Sequence, residues 1–141
     1  MSGRRKALIG ITATAVIVLG AVSLWVLPQF TGPVLPAGAT RLEIVTEPPN
    51  LGFSCMAALL LPVREATTGD ELVLVSVESG ETVSVVWPSG FAAWRVGGRS
   101  VVADSWGNIV GRDGDVLDSL SGGLGVDDAF HICPYGIEIR R

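Results

Sequence analysis

The sequence predicts a mainly β protein with one N-terminal transmembrane helix followed by a small β-barrel or sandwich domain. Two observations predict this division of the 141 residues. Residues 7–27 carry no charged side chain, and the chain from residue 41 onward consists of short apolar segments separated by glycine-containing turns. A long uncharged run is typical of a membrane span, whereas several short strands at regular spacing are typical of an all-β domain.

The first element is the uncharged run, which has the length of a bilayer span. A helix of its 21 residues is about 31 Å long, close to the ~30 Å hydrocarbon core of a bilayer. Three basic residues directly precede it: Arg4, Arg5 and Lys6. Because basic residues concentrate on the cytoplasmic side, we expect residues 1–6 to be cytoplasmic and the chain after the run to be exported.

A cleaved signal peptide is the alternative interpretation of this run. Small-residue motifs suited to signal cleavage occur at Ala21–Ser23, within the run, and at Ala37–Ala39, ten residues beyond it. The 21 uncharged residues exceed the ~7–15 apolar residues of a usual signal core, which favours a retained signal anchor. Trp25 lies near the outer end, where an indole can sit at the level of the lipid headgroups.

Residues 28–40 form the second element, a linker rich in proline and glycine. Pro28, Pro33 and Pro36 disfavour continuation of the helix and favour an extended, semi-rigid spacer. We expect this spacer to hold the following domain away from the membrane.

Residues 41–141 form the third element, an acidic extracytoplasmic β-domain. All fourteen acidic residues lie after residue 39 with seven of the ten basic residues, so this part carries a net charge of −7. Such a surface repels phosphate backbones, which argues against a nucleic acid partner. Strand-like segments follow one another at 41–45, 71–77, 82–87, 91–96, 100–104, 108–112, 115–120, 129–133 and 136–139. The apolar stretch Met56–Pro62 fits either a strand or a short helix.

The turns of this domain carry a resemblance. The segment from Trp87 to Cys133 contains Trp-Pro-Ser-Gly-Phe, a Gly-Gly hairpin, Asp-Ser-Trp-Gly-Asn and Gly-Arg-Asp-Gly-Asp-Val. It resembles the β-module of small exported or membrane-anchored bacterial proteins of actinobacterial type, to which no activity is assigned. The resemblance covers 47 residues and implies an OB-like barrel, without a cofactor or a site residue.

Cys55 and Cys133 are the two cysteines of the chain, and both lie in the exported part. In an oxidising compartment they are expected to form one disulfide. Closing a loop of about 79 residues removes denatured-state entropy worth about 4–5 kcal/mol in the chain-entropy model. Lipidation of Cys55 is disfavoured because the residue lies far downstream of the uncharged run, and no CxxC redox motif is present.

His131 is the one histidine, and it limits the catalytic chemistry that can be proposed. A His-x-Cys pair with Cys133 offers two metal ligands, but the sequence has no second pair to complete a tetrahedral site. No Gly-x-Ser-x-Gly nucleophile motif occurs, and Lys6, the single lysine, lies on the cytoplasmic side. We therefore expect no catalytic residue and no cofactor.

Two acidic features are weak calcium candidates. Asp113, Asp115 and Asp118 lie around one turn, and carboxylate oxygens are suitable Ca²⁺ ligands. The glutamate that closes an EF-hand loop is absent, so a solvated turn is the favoured interpretation. Gly122–Asp127 matches one copy of a calcium-repeat motif that functions by stacking several copies, and we expect a glycine-rich loop there.

Four aromatic residues fall within twenty positions and suggest a contact surface: Trp87, Phe91, Trp94 and Trp106. Core packing explains at least two of them, since a small domain needs large apolar anchors. The expected function is a non-enzymatic, single-span envelope protein that binds the bilayer through residues 7–27 and a protein partner outside the cytoplasm. A glycan- or small-ligand-binding module with exposed tryptophans is the alternative, and an exported hydrolase is a second one.

Overall fold

The computed structural model describes residues 2–49, 55, 58–60 and 62–140, with side chains except at 2–15, 25, 59, 60, 136 and 140. Within these ranges the chain forms one helix and eleven strands. Their bounds are α1 Ser2–Thr31, β1 Thr40–Leu42, β2 Ala58–Leu60, β3 Val63–Thr68, β4 Glu71–Ser76, β5 Thr82–Val83, β6 Val85–Val86, β7 Ala92–Val96, β8 Arg99–Ala103, β9 Ile109–Arg112, β10 Val116–Leu124 and β11 Phe130–Arg140.

Helix α1 continues four residues beyond the predicted end of the span, through Pro28 to Thr31. Pro28 has no N–H to donate to the carbonyl four residues earlier, which weakens the helix here, and α1 ends three residues later. The helix ends where Gly32 takes a positive φ of 63° and its N–H donates to the Pro28 carbonyl at 2.9 Å. Among the residues that the structure describes, no helix is both long and apolar enough to cross a membrane.

The strands form two sheets that are antiparallel except at one pairing. The first has the order β1-β7-β8-β9, and the second has the order β5-β4-β3-β10-β11-β6, with β2 also paired with β10. Among the strands that the structure describes, β6 and β11 are the one pair that runs parallel. Within the ambiguous stretch Met56–Pro62, residues 58–60 are strand; residues 56, 57 and 61 lie outside the described residues.

Neither sheet closes into the predicted barrel. The two edge strands of the larger sheet, β5 and β6, are two residues long and are separated by Ser84 alone. The Ser84 carbonyl accepts a hydrogen bond from the Phe130 N–H at 2.9 Å. This extended stretch therefore pairs antiparallel with β4 on one side of Ser84 and parallel with β11 on the other. Because the pairing partner changes at Ser84, β5 and β6 remain the two edges of the larger sheet.

The two sheets share one hydrophobic core. Its members come from both sheets: Leu42, Val63, Leu72, Leu74, Trp87, Phe91, Ala93, Val102, Leu117, Leu120, Phe130 and Ile132. The segment after β1 connects the sheets, because Glu43 forms a β-bridge with Glu71 and Thr46 forms one with Trp87. Burial of these side chains supplies the main stabilisation of the domain.

The predicted linker packs on the domain instead of extending freely from it. Leu35 and Ala39 lie against a second buried cluster, formed by Ala92, Trp94 and Ala103 on the outer face of the first sheet. That sheet is therefore covered on both faces. Residues 28–31 belong to the helix, so the extended part of the linker is shorter than the sequence suggests.

Candidate functional site

The predicted disulfide between Cys55 and Cys133 is present, and it links Cys55 covalently to the last strand of the domain. The two Cα atoms lie 5.8 Å apart and 78 positions separate the residues in sequence. Cys133 is buried on β11, whereas Cys55 is exposed. The cross-link therefore holds Cys55 against the central part of β11.

His131 lies two residues before Cys133 and makes a second contact between β11 and an early part of the domain. Its ring lies between two carboxylates, with Nδ1 2.8 Å from Glu47 Oε1 and Nε2 3.0 Å from Asp127 Oδ1. Glu47 itself is held by its N–H, which donates to the Trp87 carbonyl at 2.8 Å. This trio of Glu47, His131 and Asp127, the histidine clamp, joins β11 to the segment after β1 and to the β10–β11 hairpin loop.

The charge state of the histidine clamp follows from its geometry. Carboxylates only accept hydrogen bonds, so both contacts are satisfied only when both ring nitrogens of His131 carry a proton. The hydrogen bond with Glu47, and then that with Asp127, accordingly raises the pKa of His131 above its ordinary 6.5. The hydrogen bond with His131 lowers the pKa of Asp127. The clamp acts as an ion-paired contact, and neither ring nitrogen is free to accept a proton.

The clamp depends on a close approach of the backbone at Gly125. A Cβ atom placed there would collide with His131 Nε2 and Asp127 Oδ1. The loop is closed by the Gly125 N–H, which donates to the Ala129 carbonyl at 2.9 Å. Residues 122–127 were predicted as a glycine-rich loop. In the structure residues 122–124 belong to strand β10, and the loop begins after Leu124. Gly122 also packs tightly, since a Cβ there would lie 2.6 Å from the ring of Phe130.

Three of the four aromatic residues predicted as a contact surface are in the interior. Trp87, Phe91 and Trp94 are buried, with Trp87 and Phe91 stacked at a centroid distance of 6.0 Å. Trp94 is buried because Leu35 and Ala39 cover the outer face of its sheet. Trp106 is 56% exposed. The predicted aromatic surface therefore reduces to Trp106.

Trp106 is presented by a tightly hydrogen-bonded loop between β8 and β9. Asp104 Oδ1 accepts hydrogen bonds from the backbone N–H groups of Trp106 and Asn108, both at 2.9 Å. Its Oδ2 accepts from Asn108 Nδ2 at 2.8 Å. The Gly107 N–H donates to the Asp104 carbonyl at 3.0 Å. Because one carboxylate satisfies three donors within the loop, the backbone that carries Trp106 is held in one conformation.

The Trp106 loop lies beside the end of α1. Together they line a groove of about 520 Å³ whose apolar members include Leu24, Leu27 and Val34. A neighbouring turn makes direct contact with the helix end: Ser89 Oγ donates to the Gln29 carbonyl at 2.8 Å. Gly90 allows this approach, since a Cβ there would lie 2.7 Å from the Pro28 carbonyl oxygen. The end of the helix is therefore docked on the β-domain.

The weak calcium candidates do not form a metal site. Asp115 Oδ2 accepts a hydrogen bond from the Arg112 N–H at 3.1 Å, and the Asp115 N–H donates to the Arg112 carbonyl at 2.8 Å, as expected for a self-bonded turn. Asp113 is exposed and Asp118 is half-buried on β10. In the described part of the chain, no group of three or more His, Cys, Asp or Glu side chains is arranged to hold a metal ion.

Glu65 is a buried acid that the sequence analysis did not single out. It lies on β3, is 2% exposed, and packs against the backbone of Gly111, where a Cβ would collide with its carboxyl group. Within the described residues, neither of its carboxyl oxygens has a hydrogen-bond partner. Burial, with a smaller contribution from the charges of Asp115 and Asp113, raises its pKa to about 8. The sequence gives no local sign of its burial, because Arg64 and Glu65 interrupt the apolar pattern that marks a strand.

The topology residues predicted at the N-terminus lie in helix α1. Arg4, Arg5, Lys6 and Trp25 are all within its bounds, and their side chains lie outside the described part of the structure. Comparison with known proteins adds no relative: no family model, no curated protein and no solved structure matches this chain.

Proposed function

We propose that this chain is a non-enzymatic accessory protein of the bacterial cell envelope, anchored by one membrane span and binding a protein partner outside the cytoplasm. The span is residues 7–27, with the N-terminus in the cytoplasm and the β-domain exported. The bilayer is thus its first partner.

One observation carries the anchor in this proposal. The apolar side chains of α1 between residues 16 and 24 are not covered by the β-domain: Val16, Ile17, Leu19 and Leu24 are each 67–72% exposed. They belong to a run of 21 residues without charge on any face. An uncharged, apolar stretch of sequence favours an apolar environment, and as a helix this one would have about the length of the bilayer core, which supports the anchor.

The histidine clamp supports a role without catalysis. A general base needs a ring nitrogen directed at the proton it removes. In this structure both ring nitrogens of His131 face carboxylate oxygens instead. The hydrolase alternative centred on His131 would require the clamp to open first. The glycan-binding alternative now depends on Trp106 alone, because Trp94 is buried.

The hairpin tip beyond the histidine clamp is the favoured protein contact. Leu124 and Val126 are exposed there, next to the half-buried His131. Exposed apolar side chains beside a rigid ion-paired contact are typical of a binding surface. Asp127 and Asp128 lie beside them, so we expect the partner to present apolar groups flanked by basic ones.

Carbonate extraction of cell membranes tests the anchor. The full chain should remain in the membrane pellet, and an added protease should digest the β-domain from outside. Ile17→Arg places a charge in the middle of the run at a cost of about 2.5–3.5 kcal/mol and should release the protein. Phe30→Arg, beyond the run, is the matched control. Extraction of the unaltered chain by carbonate would contradict the anchor.

Cross-linking in intact membranes followed by mass spectrometry tests the partner. A single protein should be recovered at a constant ratio to this chain, and Val126→Asp should abolish its recovery. Val77→Asp is the control, because Val77 is also exposed but lies in the β4–β5 turn. Equal loss with both variants, or recovery of unrelated proteins only, would contradict a binding surface at the hairpin tip.

A further inference from the structure

The groove between α1 and the Trp106 loop crosses the end of the proposed span. It extends along the helix from Leu24 to Thr31, which is about 10 Å at ~1.5 Å per residue. Leu24 lies about 4.5 Å inside the end of the uncharged run at Leu27. The part of the groove beyond Leu27 lies at the level of the headgroup layer, which is roughly 5–7 Å thick on each side of the hydrocarbon core.

The chemistry of the Trp106 loop suits that depth. The indole is a large apolar group with one N–H donor, and such rings favour the boundary between hydrocarbon and headgroups. The Asp104 carboxylate is engaged by three donors inside the loop, so inserting the tip does not expose it without partners. Val34, which lines the groove, is exposed and adds to the apolar surface beside the loop.

The position of the loop relative to the helix is fixed by packing. Gly90 fits between the two, since a Cβ there would lie 2.9 Å from Gln29 Cα and 2.8 Å from Ser105 Cβ. Ser105 precedes Trp106, so the helix end, the Gly90 turn and the Trp106 loop form one continuous contact. Gly107 lies close to Pro33, with 3.8 Å between an ideal Cβ and the proline Cβ.

We infer that the β-domain lies directly on the outer leaflet and that Trp106 inserts into the lipid interface beside the span. The occupant of this surface is the bilayer itself, and the inference rests on the proposed anchor. No anionic lipid is required, because the loop offers no basic side chain. The domain is thus held at the membrane surface in one orientation, by the helix end and by the indole.

Depth-dependent fluorescence quenching tests this inference on the full chain in phosphatidylcholine nanodiscs. Trp25→Phe removes the indole within the span and leaves three tryptophans, so quenching of Trp106 alone removes about one third of the emission. Lipids brominated near the headgroup should quench more than lipids brominated near the chain ends. The double variant Trp25→Phe/Trp106→Phe should lose this quenching, since Trp87 and Trp94 are buried.

Two glycine variants test the docking in the Trp25→Phe background. Gly90→Ala and Gly98→Ala impose similar backbone strain, because their φ angles are 79° and 78°, but only Gly90 faces the helix end. Gly90→Ala should therefore reduce the quenching of Trp106 at least twofold, and Gly98→Ala should not.

The outcomes separate this inference from the anchor. If the protein resists carbonate extraction but Trp106→Phe leaves the quenching unchanged, the anchor stands and the interfacial position of Trp106 is wrong. If carbonate releases the protein, the anchor and the inference fail together. Equal loss of quenching in both glycine variants would overturn the role of docking in positioning the loop.

Discussion

Replacing Glu65 with glutamine should remove most of the pH dependence of stability between pH 5 and 8. The carboxyl group is buried on β3 without a hydrogen-bond partner among the described residues, and its pKa is raised from 4.5 to about 8. Below pH 4.5 it is protonated in both the folded and the unfolded chain. Between pH 4.5 and about 8 the unfolded chain releases this proton while the folded chain retains it.

The free energy of unfolding should therefore fall by about 1.4 kcal/mol for each pH unit in that range. Over the whole range the loss is about 5 kcal/mol, which is an upper bound and comparable with the stability of a small domain. Above pH 8 the carboxyl is ionised in both states and no further loss follows. Glu65→Gln keeps the shape of the neutral acid and cannot ionise, so the stability of this variant should stay nearly constant between pH 5 and 6.5.

Urea denaturation of the detergent-solubilised full chain at pH 5, 6, 7 and 8 measures this effect. The interval from pH 5 to 6 is the most specific to Glu65, because the contribution of His131 is lost only as the pH rises above 6.5. Glu71→Gln is the control, since it removes an exposed carboxylate from the neighbouring strand β4. Equal pH slopes for Glu65→Gln and the unaltered chain would refute the assignment.

Three further variants test the two contacts that hold β11 to the rest of the domain, which are the disulfide and the histidine clamp. Cys133→Ser should lower the free energy of unfolding by about 4 kcal/mol, seen as a lower urea midpoint, because the cross-link to Cys55 no longer restricts the unfolded chain; an unchanged midpoint would contradict this. Gly125→Ala should abolish the His131 contacts, seen as a shift of its imidazole NMR signals, whereas Val126→Ala should not. Because its pKa is raised, His131 contributes stability below pH 6.5 that is lost as the pH rises through the folded-state pKa, and His131→Gln should lack this loss.

The sequence predicted most strands but not β3, which carries Glu65. Its residues Val63–Thr68 include Arg64 and Glu65, so the apolar pattern that marks a strand is absent. The structure buries Glu65 only because Gly111 on another strand has no side chain to occupy that space. A contact between residues 46 positions apart leaves no local signal, and the most perturbed acid of the domain therefore lay outside the prediction.

Strand β11 shows a second limit of local patterns. The sequence predicted two strands, 129–133 and 136–139, and Pro134, which cannot donate to a sheet ladder, lies between them. The structure has one strand, Phe130–Arg140, because Ile132 pairs with Gly122 and Ile137 pairs with Leu120. The residues between them bulge out of the ladder, and Pro134 lies there, where no donor is needed. The irregular pairing of β10 allows the strand to continue.

The candidate site was only partly predictable. The disulfide was predicted from the cysteine count and the expected compartment, and no local geometry was required. The histidine clamp joins Glu47 to His131 across 84 positions, so its formation depends on how β11 and the segment after β1 meet in space. Trp106 was named as one of four aromatic residues. Its exposure depends on the loop built around Asp104, whereas Trp94 is buried because Leu35 and Ala39 cover it.

The linker shows most clearly how packing changes the meaning of composition. Proline and glycine predicted a spacer, yet Gly32 ends the helix and Gly90 admits it to the domain surface, while Leu35 covers the first sheet. Glycines weaken a helix, but here Gly32 and Gly90 allow the backbone of the helix end and that of the domain to approach closely. If the helix is the anchor, the domain has little freedom to move away from the bilayer. A protein partner would then have to present its binding surface close to the membrane, which favours another membrane protein over a freely diffusing one.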